Sequence, residues 1–178
     1  MIYDENPIDI SEMITIEDIA TSDIEYREEV IELTERAKRY LSDMSWCVKL
    51  NQGWLAYALG YIIGVYLIHF QPNRDDIPEY VWVVIGDIPP AYLDVEYCPD
   101  WLAAVDGYIV EMQEWVDRVL NRLPIDHTVI SVNVPPEEEW AESLGSRLKF
   151  IQKHIIEDGL DDHEIYDLHS DLPDDPMN

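Results

Sequence analysis

The side chains best suited to catalysis or metal binding in this 178-residue chain are five histidines and two cysteines. No two histidines have the i, i+4 spacing that puts two zinc ligands on one helix face, and no Cys-x-x-Cys is present. The residues are His69, His127, His154, His163 and His169, with Cys47 and Cys98. We therefore predict no metal site and no cofactor.

His163 and His169 lie in the most acidic stretch of the chain, among the carboxylates of residues 161–171. Such a group is able to bind a divalent cation weakly, or it is simply solvated. The stretch lacks the glycine and the alternating ligands of a calcium loop. We favour the solvated reading.

Motifs for nucleophilic catalysis and phosphate binding are absent from the sequence. It contains no G-x-S-x-G, no P-loop and no G-x-G-x-x-G. Arg74 is the only Lys or Arg between Lys49 and Arg118, so an anionic substrate would find little counter-charge there. We predict that the protein is not an enzyme.

The alternative is an enzyme or small-ligand pocket formed by His69, Asp87 and Tyr92. Asp87 follows Gly86 at the end of an apolar run, where a carboxylate is able to lie at the rim of a pocket. The simpler explanation is structural, because glycine permits a tight bend and aspartate accepts backbone N–H bonds in turns. No acid or base is fixed beside Asp87 by the sequence.

Net charge is the most informative property of the whole chain. Thirty-eight Asp and Glu against eleven Lys and Arg give a formal charge of −27. Such a field repels nucleic-acid phosphates and anionic membranes, so neither is predicted as a partner. It favours a basic protein, although solubility or a saline host would also account for it.

Three amphipathic helices are predicted. The first spans about 23–43, with a capping box at Ser22 and Glu25. The second spans about 100–121 with Asp100 as its cap, and the third begins after Pro135–Pro136. Their apolar stripes are Tyr26, Val30, Leu33, Ala37, Tyr40 and Met44; Trp101, Val105, Tyr108, Met112, Trp115 and Val119; and Trp140, Leu144, Leu148, Ile151 and Ile155.

The centre of the chain predicts a sheet. Strands are expected at 46–50, 61–70, 80–85 and 128–134, with 61–70 antiparallel to 80–85. Residues 54–59 fit a helix or a strand. Residues 51–53 read as a turn, and Pro89 and Pro90 should stop any ladder. The predicted fold is α+β, a small, mainly antiparallel sheet covered by about three helices.

The organisation predicted is a single α+β domain at 1–156 and an acidic tail at 157–178. Residues 54–70 carry no formal charge, but they are short for a membrane span and have no basic cluster beside them. The N-terminus lacks the features of a secretory signal. Two unclustered cysteines indicate reduced thiols, so we expect a cytoplasmic protein, monomeric or homodimeric.

Three segments together resemble a family of small bacterial proteins of unknown function. They are WVVIGDIPPAYL (82–93), PDWLAAVDGYIVEMQEWVD (99–117) and VNVPP (132–136). In that family a strand ending in Gly-Asp-Leu-Pro-Pro-like residues precedes an amphipathic helix with a late tryptophan. The resemblance covers about 54–156 and implies a cytoplasmic bacterial α+β protein. It implies no catalytic residues.

The functional hypothesis is an acidic binding protein that neutralises a basic partner, of the immunity or antitoxin type. Acids on rigid helices would cover the nucleic-acid-binding or nucleotide-binding cleft of a toxin or another nucleic-acid-binding protein. A DNA mimic is a variant of the same idea. The candidate contact residues are Glu25, Glu28, Glu29 and Glu32 in the first helix, and Asp158, Asp161, Asp162, Glu164 and Asp167 in the tail.

Overall fold

Five antiparallel strands, joined in chain order, form the sheet. The computed structural model describes residues 8–157. The strands are Ile14–Thr15 (β1), Cys47–Leu59 (β2), Ile63–Pro72 (β3), Tyr80–Gly86 (β4) and Ile88–Asp94 (β5), in the order β1-β2-β3-β4-β5. The α-helices in this part of the chain are Arg27–Ser42 (α1), Trp101–Leu120 (α2) and Glu138–Ile151 (α3). The predicted α+β class is confirmed.

Two shorter helical segments complete the described structure. A 3-10 turn covers Ile19–Thr21 before α1, and a π-helical segment, Gln152–Glu157, continues α3. A glycine after the last helical turn is typical of a C-cap, and Gly159 fits that position by sequence, but it lies outside the described residues.

The pairing of β3 with β4 confirms the strongest strand prediction. Ile63 lies opposite Gly86 at one end of the ladder, and His69 lies opposite Tyr80 at the other. β-Branched and aromatic residues dominate both strands, and such side chains pack well on a pleated surface. Side chains on both faces of these strands are buried, including Tyr66, Trp82 and Val84.

The predicted turn at residues 51–53 is wrong. β2 runs through this segment, with register shifts between Cys47 and Lys49, between Leu50 and Gln52, and between Leu55 and Tyr57. Bulges of this kind absorb extra residues without ending a strand. The hairpin instead turns at residues 60–62, where Gly60 has φ +48°, a left-handed conformation that favours glycine.

The expectation that Pro89 and Pro90 end the sheet is also wrong. Both prolines lie inside β5. This strand pairs with β4, from Ile88 opposite Gly86 at one end to Asp94 opposite Val81 at the other. β5 is the outer strand, and the register shifts between Val84 and Gly86, next to the prolines. An edge strand with a bulge tolerates residues that lack an N–H, whereas a central strand does not.

The first helix begins four residues later than predicted, and its capping box does not form. The Ser22 hydroxyl donates to the Ile19 carbonyl of the 3-10 turn at 2.7 Å, so it does not cap α1. The residue before the helix is Tyr26, with φ 51° and no side-chain cap. Because the Ser22 hydroxyl is bonded to a nearby carbonyl, it does not cap the helix, and α1 begins at Arg27 instead.

One face of α1 packs on the sheet and forms the core of this part of the protein. The helix contributes Val30, Leu33, Ala37 and Leu41, each no more than 1% exposed. They belong to one cluster with Ile19 and with alternate residues of the central strands, namely Leu55, Tyr66, Ile68, Phe70, Val81, Val83 and Ile85. The period-2 pattern of the strands and the helical stripe therefore meet as the sequence predicts.

The predicted start and stripe of α2 are confirmed. The Asp100 carboxylate accepts a hydrogen bond from the Ala103 amide at 2.8 Å, the geometry of an N-cap. Val105, Tyr108, Met112 and Trp115 are buried. The regular apolar spacing therefore marks the buried side of α2.

The predicted stripe of α3 is also confirmed. Leu144, Leu148, Ile151 and Ile155 are all buried, and Trp140 is half-buried. The stripe runs from α3 into the π-helical segment, so the buried side continues past the end of the α-helix.

The predicted strand at 128–134 is wrong. The Asp126 carboxylate accepts from the Thr128 amide at 2.9 Å and from the Thr128 hydroxyl at 2.6 Å. The Val129 amide donates to the Asp126 carbonyl at 3.2 Å. This aspartate-centred turn occupies the backbone groups that a ladder would need.

The chain divides into two compact units between Val105 and Asp106. The first contains the sheet, α1 and the start of α2, and the second contains the rest of α2 with α3. In the second unit Gly145 of α3 lies close to Val116 of α2. Within the described residues, no helix is long and apolar enough to cross a membrane.

Candidate partner-binding surface

The acidic face of α1 consists of Glu28, Glu29 and Glu32 in its first half. Glu28 and Glu32 are exposed and Glu29 is half-buried, while the opposite side of the helix is fixed in the core. Glu28 and Glu32 are one helical turn apart, so their Cβ atoms lie about 6 Å from each other. The fourth predicted α1 residue, Glu25, is exposed and precedes the helix.

Tyr61 joins the acidic face to the sheet. Its hydroxyl donates to Glu32 Oε2 at 2.7 Å, from the turn between β2 and β3. The pKa of Tyr61 is raised first by this hydrogen bond, then by desolvation, and then by the charges of Glu32, Glu29 and Glu28. The three carboxylates therefore act together on one phenol.

The backbone beneath Tyr61 is fixed by the neighbouring corner of the sheet. The Asp87 amide donates to the Tyr61 carbonyl at 2.8 Å and to the Ile62 carbonyl at 3.2 Å. Gly86 is needed there, because a Cβ atom at this position would overlap the Ile62 carbonyl oxygen. The Arg36 guanidinium, also from α1, donates to the Gly86 carbonyl at 2.9 Å.

These bonds hold the acidic face in one orientation. The middle of α1, the β2–β3 turn and the β4–β5 corner meet at one end of the sheet. Glu32 and Arg36, one turn apart on α1, contact the turn and the corner respectively. A carboxylate fixed in this way loses less side-chain freedom on binding than a solvated one.

The alternative pocket of His69, Asp87 and Tyr92 is not assembled. His69 pairs with Tyr80 at one end of β3, whereas Asp87 follows Gly86, which pairs with Ile63 at the other end. Six residues of strand separate these ends, a distance of about 20 Å. His69 and Tyr92 also point to opposite faces of the sheet. Tyr92 pairs with Val83, which belongs to the core cluster, whereas His69 lies between two cluster residues of β3 and so points to the other face.

His69 has local partners instead. Its ring stacks on Tyr80 with 4.4 Å between centroids, and its Nε2 lies 3.7 Å from Glu79 Oε2. His69 and Tyr80 are cross-strand partners in the register of β3 and β4. The stacked rings stabilise the pairing at the end of the strands.

Tyr92 belongs to an aromatic group. Its ring lies edge-on to Trp46, with 5.0 Å between centroids, and Trp46 is 5.1 Å from Phe70. Tyr92 is 44% exposed. It therefore lines the outside of the α1 core rather than a pocket with His69 and Asp87.

Five of the predicted contact residues belong to the acidic tail. Asp158, Asp161, Asp162, Glu164 and Asp167 lie outside the described residues, as do His163 and His169.

Both cysteines are thiols. Cys47 is half-buried, and burial raises the pKa of its thiol, which lowers the thiolate fraction at neutral pH. Cys98 is buried, and its carbonyl accepts a hydrogen bond from Trp82 Nε1 at 2.8 Å. Between residues 8 and 157, no three His, Cys, Asp or Glu side chains gather as metal ligands.

Tyr61 is the residue of this surface that sequence reasoning missed. An exposed tyrosine next to a glycine is the signal it offers, but its partner Glu32 lies 29 residues away. The comparisons with protein-family models, with curated proteins and with solved structures each give no match.

Proposed function

We propose that this protein is an acidic binding protein that neutralises a basic partner protein, in the manner of an immunity protein or antitoxin. The observation that carries the proposal is the acidic face of α1, held by the Tyr61–Glu32 hydrogen bond on a helix whose other side is core. Fixed carboxylates speed the encounter with a cationic surface and restrict the orientation in which it docks.

The balance of ion pairs supports this proposal. Several bases are paired within the chain, such as the half-buried Lys38 with Glu35 at 2.8 Å and the half-buried Arg118 with Glu114 at 2.8 Å. Glu32 is hydrogen-bonded to a neutral phenol, so its charge is not compensated by that contact. A cationic partner would supply the missing counter-charge.

The partner class follows from the same chemistry. A protein that binds nucleic acid or nucleotides has a cationic cleft, and a row of rigid carboxylates is able to occupy it in place of phosphates. We infer a cytoplasmic inhibitor of such a protein. The tail acids from Asp158 to Asp167 would extend the contact.

The experiment is a binding measurement with a charge-matched control. The partner is isolated on the immobilised protein from an extract of the native host and identified, and its association rate constant is then measured at about 50 mM and about 500 mM NaCl. Replacing Glu28, Glu29 and Glu32 by glutamine should lower the rate at least about tenfold at low salt.

The control is the triple glutamine variant of Glu138, Glu139 and Glu142. It removes the same charge from exposed positions of α3. Equal effects of the two variants would mean that only net charge matters. A bound protein that is not cationic, or binding that is insensitive to salt, would contradict the proposal.

Salt adaptation is the competing explanation of the charge. It requires salt for folding, because screening would have to offset the self-repulsion. Full, cooperative folding in low-salt buffer, measured by circular dichroism and thermal unfolding, would remove that explanation.

A further inference from the structure

A second surface feature in the first unit has the composition of a binding hot spot. Four aromatic residues, here called the aromatic corner, converge from three elements and one connecting segment: Tyr40 of α1, Trp46 before β2, Phe70 of β3 and Tyr92 of β5. Trp46 is central, 5.1 Å from Phe70 and 5.0 Å from Tyr92 between ring centroids. Burial raises the pKa of the Tyr40 phenol to about 12, and the charge of Tyr92 adds to this rise while the Tyr92 backbone opposes it, so the two residues are neighbours.

The backbone around Trp46 is held from both sides. The backbone N–H of Asn73 donates to the Trp46 carbonyl at 3.0 Å, and its side-chain Nδ2 donates to the Ser45 carbonyl at 2.9 Å. The Cys47 amide donates to the Met44 carbonyl at 3.0 Å. Trp46 is thus positioned before any partner arrives, which lowers the ordering cost of binding.

Part of this corner remains open to solvent. Tyr92 is 44% exposed and Trp46 is half-buried, whereas Phe70 is fully buried beneath them. Tyrosine and tryptophan are the residues enriched in hot spots, with arginine.

The electrostatic surroundings select a cation. Within the first unit, residues 75–100 contain seven Asp and Glu and no Lys or Arg, and the preceding base, Arg74, is paired with Asp76 at 3.2 Å. Asp94 is two residues from Tyr92 on β5 and therefore on the same face, and its carboxylate is held by the Glu96 amide at 2.8 Å. Asp43 is exposed between Tyr40 and Trp46 in the chain.

We propose that the aromatic corner receives an arginine side chain of the basic partner, stacked on Tyr92 and Trp46 and balanced by Asp94. The inference rests on the proposed function and identifies the anchor of the same complex. Arginine fits better than lysine, because its guanidinium is planar, weakly hydrated and stacks on aromatic rings.

One partner is able to reach both surfaces. Glu32 of the acidic face and Tyr40 of the aromatic corner are eight residues apart on α1, or about 12 Å along the helix axis. A standard interface covers about 800 Å² on each protein, which is wide enough to include both.

The test compares two peptides of equal charge, tetra-arginine and tetra-lysine, by isothermal titration calorimetry. Because the two peptides carry the same charge, the ratio of their affinities cancels the general attraction of cations to a protein with a net charge of −27. The native protein should prefer the arginine peptide, and Tyr92→Ala should lower that preference about two- to fivefold while leaving the lysine peptide unaffected.

Three further variants control for folding and for tyrosine in general. Tyr92→Leu keeps apolar bulk without an aromatic ring and should lower the preference as Tyr92→Ala does, whereas Tyr92→Phe should keep it. Tyr97→Ala removes a tyrosine that is 80% exposed in the segment after β5, and it should leave the ratio unchanged.

The possible failures are separable. An arginine preference that survives both Tyr92→Ala and Tyr92→Leu overturns the aromatic corner as anchor, while salt-dependent binding of both peptides still supports the acidic surface. Failure of the native protein to bind either peptide overturns both proposals. If the protein dimerises with increasing concentration and Tyr92→Ala abolishes this, the aromatic corner binds a second copy of the chain. That result would overturn the proposal that it binds an arginine of the partner.

Discussion

The Tyr61 hydroxyl donates to Glu32 Oε2 at 2.7 Å, which ties the turn of the β2–β3 hairpin to the acidic face of α1. The bond fixes one of the three carboxylates directly. It also makes Tyr61 a reporter of the field of that face, since all three acids raise the pKa of its phenol.

Replacing Glu32 with glutamine should lower the pKa of Tyr61 toward its ordinary value. The amide oxygen still accepts the hydrogen bond, but the charge that disfavours the phenolate is gone. The pKa is measured by NMR titration of ring-labelled tyrosine. Glu35→Gln is the control, because Glu35 pairs with Lys38 and is not among the groups that act on Tyr61. Equal shifts in the two variants would contradict the assignment.

Stability should fall in alkali because of Tyr66. Its phenol is buried and contacts Thr34 Oγ1 at 3.1 Å, and burial raises its pKa to about 12. In the unfolded chain the group ionises near pH 10. Its stabilising effect is therefore complete below pH 10 and is lost as the pH rises toward 12, by about 2–3 kcal/mol of unfolding free energy.

The variant Tyr66→Phe separates this contribution from the general effect of alkali. Near pH 8 it should be less stable by about 1 kcal/mol, since the hydrogen bonds with Thr34 and Val30 are lost. That deficit should shrink or reverse by pH 12, as urea unfolding across the pH range would show. Tyr97→Phe, at an exposed position, should follow the native curve, and a constant deficit for Tyr66→Phe would refute the prediction.

Alanine should have opposite effects at two glycines. Gly86→Ala places a methyl group against the Ile62 carbonyl, so the backbone of the corner must move, and we expect a loss of about 3 kcal/mol. Gly145→Ala lies inside α3, where the nearest atom is Val116 Cγ1 at 3.4 Å, and it should gain about 0.5–1 kcal/mol. Thermal and urea unfolding measure both, and a stable Gly86→Ala protein would show that the corner is loosely packed.

Removal of the α2 cap should cost about 1 kcal/mol. Asp100→Ala leaves the Ala103 amide without its 2.8 Å acceptor and removes a negative charge from the helix N-terminus. Asp106→Ala, at an exposed position one turn into the same helix, should be neutral or slightly stabilising because alanine has the higher helix propensity. The pair is compared by urea unfolding, and equal stabilities would mean that the cap contributes nothing.

The helices could be predicted from the sequence because their signals are local. The stripe from Val105 to Trp115 and the stripe from Leu144 to Ile155 are periodic over several turns, and each became a buried face. The errors arose where a nearby group competed. The Ser22 hydroxyl donates to the Ile19 carbonyl, so the expected cap of the first helix does not form. The Thr128 hydroxyl donates to the Asp126 carboxylate in a turn, so the expected strand at 128–134 does not form.

The candidate surface is harder to predict from the sequence than the helices. The acids of α1 are evident from composition, but the Tyr61–Glu32 bond depends on where the hairpin turns. The turn was expected at residues 51–53 and lies at Gly60 instead, which brings Tyr61 to the helix. β5 is hard to predict for a similar reason. Prolines argue against a central strand, and the position of β5 at the edge of the sheet is evident only from the strand order.

The chain-order sheet also has a kinetic consequence. From β2 to β5 each strand pairs with the next strand in the sequence, so most ladder contacts join residues close together along the chain. Closing such short loops costs little entropy, and topologies of this kind fold faster than sheets built from distant segments. Hairpin addition around Gly60 is therefore the expected folding route of the sheet.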